Sequence, residues 1–196
     1  MRGRMKFGKP STDPRATVVN QGSITVAKRG LAALVAPGVE NSGVIQAKLG
    51  KVVLGGAETF TVDFYGDGLI SFDVGSKVTA VPVGPDGQPL KSLVSNTGRI
   101  NAPAGTVLLT ADAAAGIRKK LRSLVSNTGR INVPGGTVIL TVDAAAGIIQ
   151  YVVGVPDQMA RGTGQTRGLV TIDAGLGSQA ARTIEGQSGE LSQTRR

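Results

Sequence analysis

The sequence predicts an all-β chain folded as a parallel β-helix, a solenoid of about six coils, and three observations lead there. Residues 92–117 (SLVSNTGRINAPAGTVLLTADAAAGI) and 123–148 (SLVSNTGRINVPGGTVILTVDAAAGI) differ at only four of 26 positions, at an offset of 31 residues. Near-identity at a fixed period marks units that stack on their neighbours instead of each closing its own core. The chain also holds 29 glycines in 196 residues, but four phenylalanines, two tyrosines and no tryptophan. Its apolar content is therefore Val, Ile, Leu and Ala, which suit a narrow interior between strands about 4.8 Å apart. Finally, no segment keeps an i, i+3, i+4, i+7 apolar pattern over three turns; residues 111–117 come nearest and read as a turn between coils.

Each coil is expected to begin at a Gly-x-Ile core: Gly22-Ser-Ile24, Gly43-Val-Ile45, Gly68-Leu-Ile70, Gly98-Arg-Ile100, Gly129-Arg-Ile131 and a weaker Gly168-Leu-Val170. Asn20, Asn41, Asn96 and Asn127 stand two positions before four of these glycines. Asn and Gly both tolerate positive φ, so the pairs Asn20/Gly22, Asn41/Gly43, Asn96/Gly98 and Asn127/Gly129 read as structural corner residues. A second strand follows in each copy, at residues 31–36, 51–55, 77–83, 106–111 and 137–142. Successive isoleucines lie 21, 25, 30 and 31 residues apart, so the two-strand unit persists while one connection lengthens. Stacked in register, such coils pair in parallel with aliphatic ladders inside. Residues 1–15 read as a basic disordered tail, 16–178 as the repeat domain and 179–196 as a polar, disordered tail.

Composition narrows the chemistry. With no cysteine and no histidine, disulfides, thiolate catalysis, Cys-type metal sites and imidazole bases are excluded. The net charge of +9 points to an anionic partner. The basic N-terminus carries no apolar run of the signal-peptide kind, and no run approaches the roughly 18 apolar residues of a membrane helix, so neither a signal peptide nor a transmembrane segment is expected.

The succession VVNQG (18–22), LVAPGVENSG (34–43), LGKVVLGG (49–56) and DGLI (67–70) resembles the haemagglutination-activity domain of filamentous-haemagglutinin-like exoproteins, over roughly residues 16–153. The resemblance implies a right-handed parallel β-helix and a role in adhesion to a host or cell-surface glycan or protein receptor. It also implies export through an outer-membrane two-partner transporter, with the full-length parent secreted or held on the bacterial surface. The family's Asn-Pro-Asn-Leu motif has no counterpart, since no asparagine here precedes proline; a fragment of a longer exoprotein is the expectation.

Several side-chain groups invite a chemical role. Asp63-Phe-Tyr-Gly-Asp67-Gly68 has acids at positions 1 and 5 and glycine at 6 of a calcium loop, but Tyr65 and Val74 stand where ligands belong, so a turn is expected and no metal or cofactor. Phe60, Phe64, Tyr65 and Phe72 surround it as an apolar cluster or a sugar-binding face. Arg118, Lys119, Lys120 and Arg122 form the one dense basic run in the repeats. With Arg99 and Arg130 at equivalent repeat positions, they are the candidate contacts for an anionic ligand. No interleaved aromatics support specific nucleic-acid binding. Asp112 and Asp143 stack through the repeat as turn carboxylates. The leading expectation is a non-enzymatic adhesin segment with no catalytic residue. The rival is a carbohydrate-active enzyme, a polysaccharide lyase or hydrolase, drawing on Asp63, Asp67 and Asp73.

Overall fold

The computed structural model describes the backbone of residues 3–64, 70–142, 153–154, 169–173, 182–187 and 190–191, and the side chains of 4–62 and 75–140. Within these, β-strands dominate, and the chain threads repeatedly through the same three sheets. Strands β2 (Thr17–Asn20), β3 (Ser23–Thr25) and β4 (Leu31–Ala36) make a first rung, and β5 (Gly38–Asn41), β6 (Val44–Gln46) and β7 (Lys51–Gly56) a second. The third rung is β10 (Ser92–Asn96), β11 (Arg99–Asn101) and β12 (Thr106–Ala111). The fourth is β13 (Ser123–Asn127), β14 (Arg130–Asn132) and β15 (Thr137–Val142). Corresponding strands pair in parallel, Ile24↔Ile45↔Ile100↔Ile131 in one sheet and Leu34↔Leu54↔Leu109↔Leu140 in another.

The core consists of those rows. Val39, Val94 and Val125 are fully buried, as are Ile45 and Ile100, Val52 and Val107, and Leu54 and Leu109. Each such side chain stabilises the stack by roughly 1.5–3 kcal/mol of apolar burial. β-branched residues fit because a pleated, close-set wall has room for a compact side chain at every rung and none for a ring.

The single right-handed parallel β-helix of about six coils expected from the sequence is not what the chain forms. The described residues complete four rungs, and antiparallel elements interrupt and end the parallel series. A three-stranded antiparallel sheet joins β1 (Gly3–Phe7), β8 (Phe60–Phe64) and β9 (Ile70–Val74). At the other end β16 (Val153–Gly154) and β17 (Leu169–Asp173) continue two sheets, after which β18 (Arg182–Gln187) and β19 (Glu190–Leu191) run antiparallel. The copy expected from Gly68-Leu-Ile70 is not a rung of this stack. Ile70 pairs antiparallel with Phe64, and the second rung stacks directly on the third, Asn41 against Asn96.

Residues 57–91 are thus an excursion between two rungs. Residues 77–83, expected as a strand, contribute only isolated bridges at Val78 and Val83. The excursion closes on itself where Thr59 Oγ1 bonds Ser76 Oγ at 2.9 Å, and it is tied to the third rung where Val78 donates its N–H to the Asp112 carbonyl at 2.9 Å. Its far part lies against the second rung, where Pro82 and Leu90 crowd Gly38. Residues 111–117, read as a turn, overlap the one-turn helix α1 (Ala115–Arg118). The basic segment 1–15 holds strand β1, and the polar segment 179–196 holds β18 and β19.

Candidate anionic-ligand surface

The corners come first, because they aim everything else. Asn20, Asn41, Asn96 and Asn127 are buried and joined amide to amide. Asn20 Nδ2 donates to Asn41 Oδ1 at 2.7 Å, Asn41 Nδ2 to Asn96 Oδ1 at 2.6 Å, and Asn96 Nδ2 to Asn127 Oδ1 at 2.6 Å. Buried amides are tolerable only with such partners, and the chain of bonds fixes the register of every rung against the next.

The reason expected for these corners, positive φ, does not hold. Left-handed backbone occurs instead at Arg29 (φ 65°), Leu49 (55°), Ala104 (51°) and Gly135 (68°), a row of equivalent positions one turn later in each rung. Gly43, Gly98 and Gly129 are glycine because a Cβ at each would come closer than 3.0 Å to the carbonyl of the glycine one rung earlier.

Beyond that corner the backbone presents Arg99 and Arg130 as register partners, and both are exposed. Neighbouring strands set them about 4.8 Å apart. Two residues on, Asn132 Nδ2 donates to Asn101 Oδ1 at 2.9 Å. Like charges directly opposite one another cost a few tenths of a kcal/mol or more, and among the described residues neither guanidinium has an acidic partner within 4.0 Å. The pair is therefore a small surface of unmet positive charge beside a fixed amide row, suited to a carboxylate, sulfate or phosphate.

The other basic residues do not join it. Arg118 is engaged inside the fold: its Nη2 lies 3.6 Å from Asp112 Oδ1, its Nε donates to the Ala113 carbonyl at 2.9 Å, and Lys77 Nζ reaches the same carboxylate at 3.5 Å. Asp112 is thus the tie between the excursion and α1. Lys119, Lys120 and Arg122 are exposed on the connection before β13, where Arg122 donates its N–H to the Lys91 carbonyl at 2.8 Å. Lys91 and Arg122 adjoin the register pair Ser92↔Ser123 and form a second basic locus. The five residues of β13, about 16 Å of strand, separate it from Arg130. The single stripe expected from the sequence divides into two loci, with Arg118 removed.

The calcium-loop reading at Asp63–Gly68, Tyr65, the acids Asp67 and Asp73, Asp143 and the Gly168 copy lie outside the described residues or side chains. Of the aromatic cluster, Phe60 stacks on Phe7 with ring centroids 4.4 Å apart. Elsewhere, burial and then the nearby Asp86 carboxylate push Glu40 above the ordinary carboxylate range, and burial pushes Lys51 below the ordinary lysine range. No helix among the described residues is long and apolar enough to cross a membrane.

The chain matches no family model, no curated protein and no solved structure. The geometry therefore carries the functional argument. Sequence reasoning put Arg99 and Arg130 at equivalent positions and the four asparagines at the corners, but missed the amide-to-amide bonds that join the asparagines. Their signal was present: four asparagines at one position of the unit, where a corner alone would accept Ser, Asp or Gly equally well.

Proposed function

We propose that this chain is a non-enzymatic recognition segment acting in cell adhesion, part of a secreted or cell-surface protein of the filamentous-haemagglutinin-like kind. Its receptor carries anionic groups on a glycan or protein, and its export uses an outer-membrane two-partner transporter. The observation that carries the reading is the exposed Arg99–Arg130 pair, held by register beside the Asn101–Asn132 bond. Rows of identical side chains at strand spacing suit a repetitive, extended partner better than a small substrate, because they offer the same contact at each step. The motif succession over roughly residues 16–153 supports the adhesin assignment.

The test is adherence of cells to surfaces coated with the purified chain, with excess soluble chain as competitor. Adherence is expected to fall about 3–10-fold in the Arg99→Ala/Arg130→Ala double variant and to weaken with added salt, as surface charge contacts do. Adherence indifferent to soluble competitor, or turnover of an acidic polysaccharide by the chain, would overturn the reading.

A further inference from the structure

Charge is divided between the sides of the column. In each rung the chain passes from the asparagine corner through a short strand (β3, β6, β11 or β14), a second corner and a long strand (β4, β7, β12 or β15). Those four stretches, residues 21–36, 42–56, 97–111 and 128–142, contain Lys28, Arg29, Lys48, Lys51, Arg99 and Arg130 and no aspartate or glutamate. The carboxylates whose side chains are described all lie elsewhere. Asp13 precedes β2, Glu40 is on β5 with Asp86 near it, Glu58 accepts the Thr79 N–H at 2.9 Å, and Asp112 holds Lys77 and Arg118.

On the acid-free side, register places the cations. Arg29 N donates to Lys48 O at 3.1 Å, Leu49 N to Pro103 O at 2.8 Å and Ala104 N to Pro134 O at 2.8 Å, so Lys28, Lys48, Pro103 and Pro134 share one position at the second corner. Ser23, Val44, Arg99 and Arg130 share one position on the short strands. The first and second rungs thus carry their charge at the corner, and the third and fourth carry theirs on the strand. Lys28, Arg29, Lys48, Arg99 and Arg130 are exposed, and among the described residues none has a carboxylate within 4.0 Å. Three rung steps along the column and about four residues across it separate Arg130 from the corner of the first rung, about 20 Å in all. Between the two groups lie Gln46 and the bonded pair Asn101 and Asn132, all in one register row.

We propose, resting on the anionic-receptor reading above, that this side is one continuous track for an extended acidic glycan. Its anionic groups meet Arg99 and Arg130 at one end and Lys28, Arg29 and Lys48 at the other, and its hydroxyls meet Gln46, Asn101 and Asn132 between. A sugar hydroxyl donates and accepts, as a side-chain amide does, so the uncharged middle of the track suits a sugar ring better than a further anion. A single-stranded nucleic acid would need stacking surfaces, and the four stretches contain no Phe, Tyr or Trp. An anionic membrane is held best where apolar side chains flank the charge, and the exposed large apolar residues Met5, Phe7 and Val18 all lie off the track.

The probe is a hyaluronan decasaccharide, in which carboxylate-bearing and neutral sugars alternate, titrated calorimetrically into the full chain. Binding is expected at low salt and should weaken as salt is added. Lys28→Ala/Lys48→Ala and Arg99→Ala/Arg130→Ala should each weaken it about 3–10-fold, as the loss of two exposed charge contacts does, with unchanged circular dichroism spectra. Lys119→Ala/Lys120→Ala removes the same charge from another surface and should leave affinity unaltered, and the carboxyl-reduced, uncharged decasaccharide should not bind. If only the arginine variant weakens binding, the track is overturned while the adhesion reading stands. If both variants weaken it but soluble chain does not compete in cell adherence, the adhesion reading fails and the track stands. Equal weakening by Lys119→Ala/Lys120→Ala, equal affinity for the uncharged decasaccharide, or no hyaluronan binding, whether or not RNA or anionic lipid vesicles bind, would overturn the proposal.

Discussion

Replacing Asn96 by Ala tests whether the asparagine row specifies the stack. Asn96 is fully buried, accepts from Asn41 Nδ2 and donates to Asn127 Oδ1. Truncation removes both bonds, so that the buried Asn41 Nδ2 loses its acceptor and Asn127 Oδ1 loses this donor. An orphaned buried group costs about 1–3 kcal/mol, so the loss of two buried bonds should cost up to about 2–6 kcal/mol, a large share of the roughly 5–15 kcal/mol by which an ordinary domain is stable. Asn20→Ala is the internal control. Asn20 stands at the end of the row: its loss orphans Asn41 Oδ1 in the interior, while the N–H of exposed Gly22, which donates to Asn20 Oδ1 at 3.3 Å, can turn to water, so the cost should be about 1–3 kcal/mol. Urea titrations of the two variants, read by circular dichroism, give the comparison, with the m-value checked for constancy. An Asn96→Ala variant no less stable than Asn20→Ala would refute the reasoning, since the two differ chiefly in the number of buried bonds lost.

Three further outcomes are expected. Gly98→Ala should destabilise severely, because its Cβ would press into the Gly43 carbonyl, while Gly22→Ala should be nearly neutral; thermal melts of both variants check this. Ala104→Gly should stabilise by about 0.5–1 kcal/mol in a urea titration, since relief of left-handed strain at φ 51° outweighs the added unfolded-state freedom; Gly135 already fills the equivalent place. Glu40→Gln should raise the melting temperature at neutral pH. Because burial holds the Glu40 pKa above its unfolded value, the folded state binds the proton more tightly, and that contribution is lost as pH rises through the folded pKa. The advantage of Gln should shrink as pH falls toward and below about 4.3, the unfolded value, which melts at several pH values measure.

The strands at Leu31–Ala36, Thr106–Ala111 and Thr137–Val142 were legible in the sequence, because alternating aliphatics between glycines allow little else. The stacking of Ser92–Asn96 on Ser123–Asn127 followed from near-identity. The order of stacking was not legible. Gly68-Leu-Ile70 has the spacing of a true copy, and only the tertiary competition for the Asn41 edge shows that Asn96 takes it. A corner asparagine and a buried, ladder-forming asparagine also look alike until the neighbouring rung is in place, so the physical role of Asn20, Asn41, Asn96 and Asn127 was hidden although their positions were not. For the surface, equivalent repeat positions correctly paired Arg99 with Arg130. Linear proximity misled for Arg118, whose commitment to Asp112 depends on a residue brought in by the excursion.

The offset of 31 residues between the third and fourth rungs satisfies all three sheets together, matching Ser92 to Ser123, Arg99 to Arg130 and Thr106 to Thr137. Such a unit is a quantum of length. Duplicating it in frame would lengthen the column by about 4.8 Å, extend the arginine row by one residue, and leave earlier contacts intact. The 55-residue step from Asn41 to Asn96 shows the complementary freedom, that a whole subassembly can be inserted between rungs without disturbing their alignment. A gene encoding this architecture can therefore change its reach by copying and its decoration by insertion, with neither change demanding redesign of the other.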